Sequence, residues 1–512
     1  MRQTMTAAHS EERFDLLVVG GGINGAGIAR DAAGRGLSVL LVEKEDLASH
    51  TSSASTKLIH GGLRYLEYGE FRLVREALIE RERLWGMAPH IIWPLRFVLP
   101  QTQSPRPAWM VRLGLFLYDH LGGRKKLPGT DTINLQRTPF GNGLKTAKGR
   151  AFVYSDCWVE DSRLVVLNAM DAAERGADIR TRTTLVGARR EGGEWRATIS
   201  DEAGEHQIRA SALVNAAGPW VSEVLGRTPD VIADRGLRLV KGSHLVVPKL
   251  YYGEHAFMLQ NPDRRIVFTV PYEGDFTLIG TTDQVWEGAP GKAQISAEET
   301  RYLLDTAARY FANPPGEADV VWSYAGIRPL YDDKAGSASA VTRDYVLDLD
   351  GDEARAPMLS IFGGKITTYR KLAEHAMAEL ARFFPKAGVA WTAGATLPGG
   401  DLPGGDFDAY VTALQQARPG LPADLLQRLA RAYGTRVDVL LGNAMTPFDL
   451  GTDLGGGLTL REVAYLRAHE WAVTAEDILY RRSKLGLHVP PGTQARLEAH
   501  LAEDRRTLAK SA

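Results

Sequence analysis

The stretch Phe14–Glu43, FDLLVVGGGINGAGIARDAAGRGLSVLLVE, leaves the chain few ways to begin folding. Phe14–Val19 is an apolar run of strand character, and Gly20-Gly21-Gly22-Ile23-Asn24-Gly25 opens a helical stretch. Ser38–Val42 is a second buried strand that ends on Glu43. This is a βαβ unit with dinucleotide spacing: Gly20 permits the tight turn, Gly22 lets the backbone approach a pyrophosphate, and Gly25 lets the helix lie close on the strand. The positive helix start, with Asn24 in its first turn, is where the phosphates belong. Glu43 is placed to accept from ribose hydroxyls, which favours NAD or FAD over NADP.

The rest of the chain narrows the setting. Its 512 residues exceed one hydrophobic core, so two or three domains are expected. A hydrophobic content of 44% with 24% charged residues is that of a soluble globular protein, and a net charge of −1 gives nucleic-acid binding no support. Cys157 is the single cysteine, which excludes intramolecular disulfides and cysteine-held metal clusters; it reads as a small buried hydrophobe. The first residues, MRQTMTAAHSEER, carry no apolar signal core, and no apolar run approaches the roughly 20 residues of a spanning helix. The cytosol, with contact to a membrane surface left open, is the expected compartment.

Along the chain, Leu47–Lys57 (LASHTSSASTK) is a loop dense in small hydroxyl residues, suited either to a cofactor's polar atoms or to an ordinary turn. Phe71–Trp85 has helical spacing. Ala108–Leu121 is almost wholly apolar between Arg106 and Arg124-Lys125-Lys126; it suits a buried core helix or a segment in a membrane interface. Short strands follow over 178–214 and end in ALVNAAGPW, where Ala217 and Gly218 would allow close approach to a dinucleotide. From 236 to 330 the pattern is β, with a hairpin at Tyr272–Asp275. Leu359–Phe362 is a strand running into Gly363-Gly364-Lys365 and a helix to about Phe384. After the Gly/Pro-rich linker Thr392–Gly405 the chain is helical, including Ala475–Leu485 capped by Thr474 with Asp477.

Two constellations carry chemistry. The second glycine turn, at Gly363-Gly364, reads as a further helix start whose amides and dipole would stabilise negative charge arriving with a hydride. The other is cationic: Arg64, Arg328, Arg343, Lys365 and Arg370, with His244 in a strand. Guanidinium groups suit a phosphate monoester, or equally a salt bridge to Asp or Glu. HExxH, P-loop and GxSxG motifs are absent.

With these blocks assembled, the chain resembles the FAD-dependent glycerol-3-phosphate dehydrogenases. The shared motifs are GGGINGAGIARDAAGRGLSVLLVE, TSSASTKLIHGGLRYLEYGEFRLVREAL, KGSHLVVP, SYAGIRPLYDD, VTRDY and FGGKITTYRKLAEHA, in family order across about Phe14–Ala376. The resemblance implies an α/β fold with an α+β substrate lobe: an FAD-binding Rossmann-like domain of the amine/glycine-oxidase type, an antiparallel-sheet substrate domain and a helical C-terminal domain. Their expected bounds are 14–95, 151–235 and 331–391 for the first, 96–150 and 236–330 for the second, and 406–512 for the third. It implies oxidation of sn-glycerol 3-phosphate to dihydroxyacetone phosphate by hydride transfer to FAD, with electrons passed to a membrane quinone. Peripheral attachment to the inner face of the cytoplasmic membrane and a homodimer are further expectations.

Carried onto this sequence, the resemblance gives Gly20, Gly22, Asn24, Gly25 and Glu43 as cofactor residues. To these it adds Ser52, Ser53, Ser55, Lys57, His60, Gly61, Gly62, Ala217, Gly218, Gly363, Gly364, Lys365 and Thr367. Arg64, Tyr65, Arg328, Arg343 and Lys365 are expected to bind substrate, and His244, Arg328 and Lys365 to act in catalysis. His244 is favoured as the base because imidazole titrates nearest neutrality; Lys365 or Arg328 would instead stabilise an alkoxide. An oxidase passing electrons to oxygen, a flavin-binding protein without turnover, and an NAD-linked dehydrogenase are the alternatives.

Overall fold

The computed structural model describes residues 11–231, 236–331 and 344–511. In chain order the elements that position the site are β1 (Glu12–Val19), α1 (Ile23–Gly34), β2 (Val39–Glu43), α2 (Phe71–Met87), α3 (Ala108–Leu121) and α4 (Asp161–Glu174). β1 pairs in parallel with β2, Leu16 opposite Val39 and Val19 opposite Val42, and on its other edge with Gly204–Asn215. Because parallel strands need crossovers, they are covered on both faces and read as unbroken apolar runs, as LLVV and VLLVE do. The first sheet runs Val346–Asp350, Met358–Phe362, Gly204–Asn215, β1, β2 and Asp178–Thr181, and the hairpin Thr184–Glu191/Glu194–Asp201 extends it. α1, α4 and Tyr369–Leu380 fill one face with buried Ala and Leu; Trp195, Leu213 and Phe362 belong to the core on the other.

The second sheet is mostly antiparallel. Its order is Gln284–Val285, Leu237–Pro248, Phe276–Gly280, Ile266–Tyr272, Ala256–Gln260, Ile92–Pro100, Arg150–Val159 and Leu58–Ile59, with Trp322–Tyr331 paired along Leu237–Pro248. Three stretches expected within the cofactor domain therefore lie in this sheet: 58–59, 92–95 and 151–159. The reason is register. Ile92–Pro100 pairs continuously with Arg150–Val159, from Ile92 opposite Val159 to Pro100 opposite Ala151, so no boundary can fall inside that ladder.

Two further expectations are corrected. The helix after the second glycine turn begins at Tyr369, with Thr368 at its N-cap, rather than at Gly363. Gly363 and Gly364 have φ of +79° and +96°, outside the helical region, so their amides belong to a turn and not to a helix start. In the C-terminal helical domain, Asp477–Arg482 forms a π-helix in place of an α-helix, and Ser483 N–H donates to Ile478 O at 2.8 Å. This wider turn lets the consecutive residues Arg481 and Arg482 both reach Asp46.

α3 buries Val111, Leu115 and Tyr118 and leaves Trp109 70%, Leu113 52% and Phe116 49% exposed. It is thus a core helix along one stripe and an uncovered apolar surface along the other. Among the described residues no helix is long and apolar enough to cross a membrane.

The C-terminal domain is tied to the rest by charge. Arg163 on α4 forms a two-pronged pair with Glu470, both fully buried, and donates to Ala432 O at 3.1 Å. Removing one partner strands the other's charge, so Arg163→Met should cost about 3–5 kcal/mol of stability, read from the urea midpoint. The paired change Arg163→Met with Glu470→Leu should recover most of it.

Candidate functional site

Backbone contact fixes where α1 begins. A Cβ on Gly25 would stand 1.9 Å from the Gly20 carbonyl oxygen, and one on Gly20, at φ +112°, 2.6 Å from that of Ala216. The helix start is thereby drawn against the ends of two strands. Ser52 Oγ accepts from Ile23 N–H at 3.0 Å, and a Cβ on Gly22 would meet that oxygen at 3.2 Å. Glu43, buried at the end of β2, accepts from Gly21 N–H at 2.6 Å and Glu45 N–H at 2.9 Å. Burial pushes its carboxyl up despite these bonds, and donors from a ribose would favour the charged form.

These groups line one elongated cleft. Thr183, Leu185, Trp220 and Arg227 close its Glu43 end, with Lys44 Nζ 3.8 Å over the Trp220 ring; Ala217, Gly218, Gly363 and Gly364 lie along it. Asn24 sits beside the second glycine turn: its Nδ2 donates to Gly363 O at 3.2 Å, and its buried Oδ1 has no partner. An acid at one end, a glycine-lined helix start in the middle and an unsatisfied amide oxygen beyond it fit an extended dinucleotide.

A second cavity continues from this cleft and shares Ile23, Thr51, Ser52, Pro329 and Gly364 with it. Its chemistry comes from one face of a strand pair. Gly242 lies opposite Gly326, His244 opposite Tyr324, and Val240 opposite Arg328, so the two-residue period turns Gly242, His244, Gly326 and Arg328 into the same space. A Cβ on Gly242 would stand 2.8 Å from Arg328 Nη2, so the glycine makes room for the guanidinium. Arg328 Nη2 donates to Thr282 O and to Asp283 Oδ1, each at 3.0 Å. Lys365 Nζ lies 3.8 Å over the Tyr65 ring, and His60 and Thr367 complete the wall, His60 N–H donating to Thr367 Oγ1 at 3.2 Å. His244 Nε2 is 3.0 Å from Thr56 Oγ1, and its ring stacks on Tyr324 at 4.7 Å. Burial, reinforced by the charges of Lys57 and Arg328, pushes its pKa down to about 3, so the imidazole is neutral.

The structure does not gather every residue expected here. Arg64 lines a separate apolar groove with Met110, Leu113 and Met258, and its Nη2 donates to Tyr68 Oη at 3.3 Å, because the 3-10 turn Leu63–Tyr68 sends neighbouring side chains to different sides. Lys57 points away from both cavities into a buried pair with Asp161 at 3.0 Å; Ser55 Oγ donates to the same carboxylate at 2.8 Å while still lining the second cavity. Ser53 faces a neighbouring cavity, and its carbonyl accepts from Lys57 Nζ. Gly61 and Gly62 lie against Leu78 and Tyr65, where a side chain would clash, and line neither cavity. Arg370 is held by Glu80 and Glu374 in the core. Arg343 lies outside the described residues. Sequence reasoning missed Thr56 and the Trp220–Arg227 wall. Thr56 was signalled by the hydroxyl run it belongs to, whereas Arg227 carried no local signal.

Comparison with known proteins gives the geometry a context. The FAD dependent oxidoreductase family matches residues 15–370, and the C-terminal domain of alpha-glycerophosphate oxidase matches 391–501. The chain is 54% identical to a D-erythritol 1-phosphate dehydrogenase of Brucella abortus over 94% of its length and 97% of that protein's. It is also 54% identical to a glycerol-3-phosphate dehydrogenase of Pseudomonas aeruginosa, covering 98% of each. A glycerol-3-phosphate dehydrogenase from Bacillus halodurans, solved with FAD, superposes with a TM-score of 0.75 at 28% identity, covering 97% of this chain and 91% of that one.

The cleft's dependence on bare glycine is testable. Gly25→Ala should abolish retention of the cofactor through desalting, because its methyl must displace the Gly20 carbonyl. Gly226→Ala, where a Cβ meets nothing within 4 Å, should leave retention unchanged.

Proposed function

The chain belongs to the FAD-dependent oxidoreductase family, and from that premise we propose that it oxidises the C2 hydroxyl of sn-glycerol 3-phosphate, giving dihydroxyacetone phosphate, and passes the electrons to a membrane quinone. Glu43, Gly22, Asn24 and Gly364 would hold FAD, which when bound supplies the hydride acceptor. The observation that carries the reading is the meeting of Arg328, Lys365 and a neutral His244 in the cavity that continues the dinucleotide cleft away from Glu43. Arg328 and Lys365 give the phosphate monoester its counter-charge, and the rigid fork of Arg328, steadied by Asp283, sets the ester's orientation. His244 Nε2, paired with Thr56 Oγ1, is the acceptor for the hydroxyl proton. Burial chiefly holds this imidazole's proton affinity down, and a phosphate beside Arg328 would offset the positive field that adds to it.

D-Erythritol 1-phosphate is a second substrate to weigh, because a relative of equal identity carries that name. It presents the same phosphate-bearing polyol end with one more carbinol. For the acceptor, the groove of Arg64, Leu66, Phe71, Met110 and Leu113, roofed by α3, suits a quinone ring near a bilayer, with Arg106 and Gln260 as its polar contacts. The uncovered face of α3 suits a membrane interface and supports a peripheral position at the cytoplasmic membrane.

Anaerobic addition of sn-glycerol 3-phosphate to the yellow protein should bleach its flavin band within turnover time. Bleaching by D-erythritol 1-phosphate alone would move the assignment to the longer polyol, and bleaching by neither would end it. Arg328→Ala should raise the Michaelis constant about 10–100-fold, as loss of a charged hydrogen bond does; an unchanged constant would remove it from the site. Peroxide formed in step with product would favour oxygen as the acceptor. Replacing Trp109 and Phe116 together by Ser should release the protein from anionic vesicles while flavin reduction in solution is kept, measured by co-sedimentation.

A further inference from the structure

We propose that the C-terminal domain holds the cofactor loop in its binding conformation, with Arg482 as the principal positioning residue and Lys484 as its second anchor. The loop is Leu47–Lys57, which lies between the dinucleotide cleft and the substrate cavity: Ala48–Ser52 line the first, and Thr51, Ser52, Ser55 and Thr56 line the second. It enters through Ala48 at φ +60° and leaves through Lys57 at φ +59°. Neither residue adopts that left-handed backbone willingly, so something outside the loop must impose it.

Part of what imposes it lies more than four hundred residues away in sequence. Next to the entry, buried Asp46 accepts from Arg482 through both oxygens, at 2.9 and 2.7 Å, and from Arg481 Nε at 2.7 Å. Arg482 spends its other donors on the Glu470 carbonyl, at 3.0 and 2.7 Å, so its fork is fixed at both ends. At the exit, Lys57 and the Ser55 hydroxyl both meet Asp161, and Lys484 approaches that carboxylate at 3.6 Å and Glu160 at 3.8 Å. Lys484 itself is in the left-handed region, at φ +61°. A third tie runs from Asp477 to Arg182 at 2.6 Å, beside Thr183 in the wall of the dinucleotide cleft. One short segment, Asp477–Lys484, thus grips the cleft at three places, with charges buried deeply enough to fix geometry.

The loop then transmits this order. Ser52 meets the α1 helix start, Thr51 Oγ1 donates to Ile327 O at 2.7 Å beside Arg328, and Thr56 pairs with His244. Arg482 touches none of the groups that would contact FAD or substrate; it acts through Asp46.

Coupling of this kind is reciprocal: if the segment orders the loop, FAD in the loop must order the segment. Hydrogen exchange on the full-length wild-type protein, stripped of FAD and then reconstituted, tests this without substrate and so independently of the substrate assignment. Amides of 477–484 should slow at least tenfold on reconstitution, together with those of 47–57; equal exchange in the two states overturns the proposal. Arg482→Met should weaken FAD binding at least tenfold by fluorescence titration and leave the Michaelis constant for the phosphate ester within twofold at saturating FAD. Arg482→Lys should recover part of the affinity. A fall in thermal stability of the apoprotein with unchanged FAD affinity would make the contact structural only. If Arg482→Met does not fold, the wild-type exchange result decides alone.

Discussion

Everything in the molecule is arranged about the closeness of two backbones, that of Gly20 at the end of β1 and that of Gly25 in the first turn of α1. Because no side chain separates them, the helix start stands directly over the strand ends, with Glu43 and Ser52 holding its Gly21 and Ile23 amides at the edge of the cleft. The sheet holds this geometry from both edges. β2 brings Glu43 to one side, and Gly204–Asn215 delivers Ala216 and Ala217 to the other. The second sheet then needs only to place one strand face, that of Gly242, His244 and Arg328, at the far end of the same space.

Local pattern made the first half of this legible. Residues 14–43 carry their fold in their own order, since strand, turn and helix start are set by neighbours, and the cofactor chemistry follows from that order. Gly242, His244 and Arg328 were also legible because a strand's alternation is short-ranged. Residues whose direction depends on partners distant in the chain were not. Lys57 sits in a block that matches the family, yet Asp161, more than a hundred residues on, turns it inward. Arg370 follows the second glycine turn, and Glu80 on α2 captures it. Arg64 and Tyr65 are adjacent, and the 3-10 turn sends one to the apolar groove and the other to the substrate cavity. Helical spacing over 475–485 predicts an ordinary helix, and the wider turn found there lets two consecutive arginines meet the distant Asp46.

Charge plays opposite parts in the two halves of the molecule. Buried pairs such as Arg163 with Glu470 and Arg482 with Asp46 are saturated on both sides and serve to hold parts in register. Arg328 and Lys365 stand instead at a cavity wall, where a dianion can share their field. His244 lies between these regimes: burial keeps it neutral, and an anion beside Arg328 would ease the positive charge that adds to the cost of protonating it.

The strand Met358–Phe362, beside Gly204–Asn215, bears on when the protein can be completed. It leads to Gly363 and Gly364, which close the cleft opened by residues near the start of the chain. Synthesis runs from one end to the other, so a ribosome carrying only the first three hundred residues exposes a half-built groove with an apolar wall. The cleft lacks its Gly363–Gly364 side until translation is far advanced. The complete cleft is therefore a late product of synthesis.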